Sequence, residues 1–202
     1  MIWSRRSSSG LRNVITARSR NIGKSSNRYS GAQRGDTWRT FWQRFPTSVR
    51  TTISIASRAT NAVDMYLLDT DVISEIRKGD KANPGVRAFF ADMSRESVDL
   101  YLSVVTIGEL RQGVERIRHR GDDAQAKLLG RWLEQVTTTY AESILPFDEE
   151  TAHVWGRLRV PNPENPLDKQ IAATALIHDL AVVTRNTGHY APTGARLLNP
   201  FA

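Results

Sequence analysis

From Met65 onward, short apolar runs alternate with amphipathic stretches, and this alternation limits the fold more than any other feature of the chain. Tyr66-Leu67-Leu68 reads as a strand. Asp69-Thr70-Asp71 breaks it, and a helix carrying Val72, Ile73 and Ile76 follows as far as Lys78-Gly79. Asn83-Pro84 opens a second helix with Val86, Phe89, Phe90 and Met93 on one face. After a strand at 100–104, Ile107, Leu110, Val114 and Ile117 mark a third helix, and Ala126, Leu129, Leu133 and Val136 a fourth that ends near Thr139. A strand at 143–147 precedes a helix over 148–160, and no helix runs through Pro161-Asn162-Pro163-Glu164-Asn165-Pro166. Leu167, Ile171 and Ala175 define the last helix, 181–184 a fully apolar strand and 196–199 an edge strand. Strands separated by helices imply an α/β domain with a mostly parallel sheet covered on both faces.

Residues 1–64 read differently. They hold 12 Lys and Arg against 2 Asp and Glu, whereas residues 65–202 hold 16 against 19, so the chain's net +7 conceals a basic leader and a mildly acidic body. The leader is rich in Ser and Arg and lacks helical or strand periodicity over long windows, so disorder is expected; Trp38, Phe41, Trp42 and Phe45 offer one short amphipathic turn. Its composition fits an organelle transit peptide, a basic arm that holds RNA, or an upstream start with Met65 as the working first residue. The abrupt onset of pattern at Met65 favours the last. No apolar run is long enough for a secretory signal or a membrane span. With no cysteine, thiol catalysis and zinc–thiolate sites are excluded.

In a parallel sheet the functional crevice lies at the carboxyl ends of the strands. Asp69 follows the first strand, Glu109 falls in the opening turn of the third helix, and Asp168 lies in the first turn of a helix that runs back across the sheet. All three acids should face one crevice. Each also fits a helix cap, Thr106 with Glu109 and Asn165 with Asp168 having the spacing of capping boxes. Clustered carboxylates repel and attract a cation, and without Cys or closely spaced His pairs the suitable ions are Mg²⁺ and Mn²⁺.

The segments Tyr66-Leu67-Leu68-Asp69-Thr70-Asp71-Val72-Ile73-Ser74-Glu75, Ser103-Val104-Val105-Thr106-Ile107-Gly108-Glu109-Leu110, Asp168-Lys169-Gln170-Ile171-Ala172-Ala173-Thr174-Ala175 and Val183-Thr184-Arg185-Asn186 resemble, in order, the motifs of PIN-domain ribonucleases. The VapC toxins, especially their FitB-like branch, resemble the chain most, over residues 65–202 and not over the leader. The resemblance implies a PIN-like fold. It also implies Asp69, Glu109 and Asp168 as catalytic metal ligands, with Thr70, Thr106, Thr184 and Asn186 as supporting polar groups. The family's fourth acid is replaced by His189, a candidate ligand that Mn²⁺ accepts better than Mg²⁺, and Asp71 stands where asparagine is commoner.

The activity implied is metal-assisted hydrolysis of RNA by the toxin of a type II toxin–antitoxin pair, a homodimer held by its antitoxin in the bacterial cytoplasm. Arg111, Lys169 and Arg185 are the candidate RNA-binding cations; Arg116, Arg118, His119 and Arg120 read as a solvated helix end. Two other readings compete. A PIN-like module without catalysis would bind RNA or protein only. Asp69-Thr70-Asp71-Val72 also resembles the opening motif of haloacid-dehalogenase-type phosphatases, but the tail has no Gly-Asp-rich acidic loop to complete it.

Overall fold

The computed structural model describes residues 65–202; the expectations for the 1–64 leader lie outside the described residues. Five parallel strands form one sheet: β1 (Tyr66–Leu68), β2 (Leu100–Ser103), β3 (Ile144–Leu145), β4 (Ala181–Val183) and β5 (Arg196–Leu198), in the order β3-β2-β1-β4-β5. Among the described residues seven α-helices connect and cover them: α1 (Thr70–Ile76), α2 (Pro84–Glu96), α3 (Val104–His119), α4 (Asp123–Thr139), α5 (Glu149–Leu158), α6 (Pro166–His178) and α7 (Thr187–Tyr190).

The central strands show why the sheet is buried on both sides. In register, Leu67 pairs with Val182 and Leu68 with Val183, and all four side chains are fully buried. Because side chains alternate across a strand, Leu68 and Val183 join one cluster with the buried faces of α1, α2, α3 and α4, while Leu67 and Val182 join the opposite one with Ile171, Ala172 and Ala175 of α6. The four apolar positions expected on α2 and the four on α4 are all buried, with Gly130 added on α4.

The structure departs from the sequence reading at several boundaries. Val104 begins α3 rather than ending β2, because the Ser103 hydroxyl accepts from Val105 N–H and caps the helix there. Thr106 is therefore no cap, and Glu109 lies in the second turn, not the first. Asn165 takes a left-handed conformation at the start of α6 without a side-chain capping bond. The strand expected over 143–147 is two residues long, and α7 follows the helix expected to be last. Leu167 is 39% exposed rather than part of the core.

β1 lies between β2 and β4, so the chain leaves it toward one side and returns on the other, a switch point that opens a crevice beyond its C-terminal end.

Candidate functional site

Asp69 is the first residue beyond β1 and the N-cap of α1, where its Oδ1 accepts from Thr70 N–H at 2.7 Å. Its Oδ2 accepts from the Thr184 hydroxyl at 2.7 Å, a bond that joins the ends of β1 and β4. Thr184 is fully buried and accepts in turn from Asn186 N–H at 3.0 Å, so Asn186 enters the network through its backbone. Thr70 donates its hydroxyl to Glu109 Oε2 at 2.6 Å and thereby ties α1 to α3. Thr106 is buried one turn before Glu109, its hydroxyl 3.5 Å from the Leu68 carbonyl oxygen.

From the other side of the crevice, Asp168 in the first turn of α6 accepts from His189 Nδ1 across 2.8 Å. A carboxylate only accepts, so Nδ1 is the donor in this pair. The sequence offered His189 as a further metal ligand. In the structure its Nδ1 is engaged by Asp168, an arrangement that suits either a ligand bound through Nε2 or a partner that orients Asp168.

Asp69, Glu109 and Asp168 share one field. Burial pushes the Asp69 carboxyl up and the Asp168 charge adds to it, against the bonds from Thr184 and Thr70. Burial also raises Glu109, joined by the charges of Asp69 and Asp168 and opposed by the Thr70 bond and the Arg116 charge. Asp71 has a different set of contacts: Oδ2 accepts from Arg185 N–H at 3.0 Å, while Oδ1 is buried without a partner. Burial and then the Asp69 charge push its carboxyl up to about 6. Among the described residues no three Asp, Glu or His side chains stand close enough to form a finished metal cage. The three acids are oxygen donors in mutual repulsion, which is the donor chemistry a hard divalent cation fits.

The candidate substrate cations separate on inspection. Arg185 is exposed beside the acids, its Nε 3.9 Å from Asp71 Oδ2 and its guanidinium over the Phe201 ring at 4.6 Å. Arg111 pairs with Glu115 along its own helix at 3.9 Å. Lys169 is a correction: it is 2% exposed and its ammonium donates to the Asn162 carbonyl, so it braces the loop before α6 instead of meeting RNA. Arg116, read from sequence as part of a solvated helix end, acts on Glu109. It lies seven residues, about two turns, after Glu109 on one face of α3, and that spacing was the signal that could have found it.

Residues 66–194 match the family model described as PIN domain. Toxin FitB of Neisseria gonorrhoeae is 36% identical over 143 residues, 68% of this chain and 99% of the relative. VapC ribonuclease Y4jK of Sinorhizobium fredii is 33% identical over 145 residues, 68% of this chain and 98% of the relative. The solved structure of FitAcB from Neisseria gonorrhoeae superposes with a TM-score of 0.60 at 36% identity, covering 68% of this chain and 99% of that one. These matches displace the phosphatase reading of the Asp69-Thr70-Asp71-Val72 run. With a parallel sheet, three acids at its carboxyl edge and a family match over nearly all the described residues, the chain belongs to the PIN-domain family that includes the FitB and VapC toxins.

Proposed function

We propose that this PIN-domain protein is the toxin of a type II toxin–antitoxin pair, a Mg²⁺- or Mn²⁺-dependent endoribonuclease that its cognate antitoxin restrains. The observation that carries the reading is the common field of Asp69, Glu109 and Asp168, brought together from the end of β1, from α3 and from α6. The names of the FitB and VapC relatives support the toxin and ribonuclease assignments. As in the sequence reading, the unit is proposed to be a homodimer acting in the bacterial cytoplasm.

Asp69, Glu109 and Asp168 would hold the cation. When bound, it supplies a water of lowered pKa and stabilises charge on the phosphate oxygens. The chain's own residues keep the acids in place: Thr184 and Thr70 orient Asp69, the Thr70 hydroxyl orients Glu109, and His189 orients Asp168. Arg185 and Arg116 provide positive charge for the RNA backbone beside an otherwise acidic body.

The test is cleavage of RNA in metal-controlled buffer by the wild type, Asp69→Asn and Asp168→Asn. Each variant should lose about 100-fold or more of the activity, since even residues behind a metal ligand typically cost 10–100-fold. Full activity in either, with the fold intact by circular dichroism, would overturn the site. His189 in the place of the family's fourth acid is the observation that favours a non-catalytic binding module. That reading predicts RNA retention without metal-dependent cleavage in the wild type itself.

A further inference from the structure

Tyr190, the last residue of α7, is fully buried, and no fully buried side chain among the described residues is larger. Its ring packs among Leu67, Ile171, Ala172, Ala175, Leu180 and Val182. Leu67 is two residues before Asp69, and Ile171 and Ala172 lie one helical turn beyond Asp168. The apolar packing therefore holds the ring directly beneath the acids. Its hydroxyl is sealed from solvent without a hydrogen-bond partner, and the Asp69 carboxylate is among the charges that act on it. Phenylalanine would fill the same space without burying an unsatisfied oxygen, so that oxygen calls for a function of its own.

We infer that Tyr190 is a positioning residue whose hydroxyl donates to the Asp69 carboxylate and fixes the orientation in which that carboxylate faces Glu109 and Asp168. It is a third donor to Asp69, after Thr70 N–H and the Thr184 hydroxyl, and it reaches the carboxylate from the α6 side of the sheet. Burial, together with the charges of Asp69, Asp168 and Glu109, holds the phenol far above its ordinary value, so it keeps its proton beside the acids. The consequence for cation binding rests on the metal-nuclease reading, whereas the donor contact itself does not.

The experiment uses the full chain and two readouts. In NMR spectra of protein labelled at tyrosine without added metal, the Tyr190 ring carbon bearing the hydroxyl should shift in Asp69→Asn relative to wild type. No shift would overturn the contact. Calorimetric titration with Mn²⁺ alone, without RNA, should then show binding weakened about threefold to tenfold in Tyr190→Phe at an unchanged melting temperature. Equal Mn²⁺ affinity in wild type and Tyr190→Phe would overturn the positioning role. Absence of Mn²⁺ binding in the wild type, with the tyrosine signal still responding to Asp69→Asn, would sink the metal reading and leave the contact standing.

Discussion

At Asp71 the chain places a carboxyl where an amide would meet the same Arg185 N–H, and the cost is visible in the buried, unpartnered Oδ1. Burial first, then the neighbouring Asp69 charge, raises the group from an ordinary value of 3.8 to about 6. The folded state therefore holds this proton more tightly than the unfolded chain. Its contribution to stability is complete below about pH 4 and lost as pH rises through about 6. Asp69 and Glu109 are raised too and act with the same sign. Glu75, lowered chiefly by its bond from Lys78, acts oppositely, but its window lies below its ordinary value of 4.5. Metal-free protein should accordingly lose stability as pH rises from about 4.5 to about 6. Asp71→Asn should flatten that slope and gain about 1–2 kcal/mol at pH 7 after allowance for solvent screening. Urea denaturation of both proteins across this range checks it, and parallel curves would show that Asp71 does not titrate there. Several positions were legible in advance: Asp69 and Asp168 stand where a strand end and a returning helix must put them, while Glu109 lies one turn further along α3 than expected. The state of Lys169 was not, because its neighbour in space is the Asn162 carbonyl, placed by a proline-rich loop that carries no periodic signal.

The helices were readable wherever an apolar stripe ran for three turns or more, as on α2 and α4. Their ends were less so, since a cap depends on a single side-chain geometry; Ser103 and Thr106 both offered a hydroxyl, and the structure uses the first. The four residues of α7 are too few to show a helical period, so the element that carries both His189 and Tyr190 leaves no periodic signal in the sequence. Gly85 shows what only the assembled elements reveal. A Cβ there would meet the Pro200 carbonyl oxygen at 2.1 Å, so the first turn of α2 accepts the C-terminal segment only because the side chain is absent. Helix propensity alone would reward Gly→Ala by about 1 kcal/mol. At Gly85 the clash with backbone should reverse the sign and destabilise by roughly 1–3 kcal/mol. Gly130 in α4, where a Cβ would meet nothing within 4 Å, is the control and should gain roughly 0.5–1 kcal/mol as alanine. Denaturant midpoints for the two variants decide it: if Gly85→Ala is also stabilising, the Pro200 contact does not constrain α2.

The fold class was the most legible property of the molecule, because alternating strands and helices leave few arrangements and a parallel sheet requires cover on both faces. The family was legible only through four ordered motifs, since acids at helix starts look alike whether they cap, repel or bind a cation. The whole-molecule question is what residues 1–64 add to a body that already contains a complete sheet and covered faces on both sides. The family match begins at Tyr66, and FitB and VapC ribonuclease Y4jK are matched along 98–99% of their length by 68% of this chain. A chain starting at Met65 should therefore fold with the melting temperature of the full chain to within about 2 °C, less than the shift from 1 kcal/mol in a domain of this size. A larger drop would show that the leader packs against the body. RNA affinity provides the second measurement, because the leader carries 12 of the 28 basic residues. If it acts as a basic arm, the full chain binds RNA more tightly than the Met65 start at low salt. That advantage then vanishes as salt is raised, since released counterions set the affinity of such contacts. Equal affinities at low salt would leave Arg185, Arg116 and the acid crevice as the whole RNA-binding apparatus.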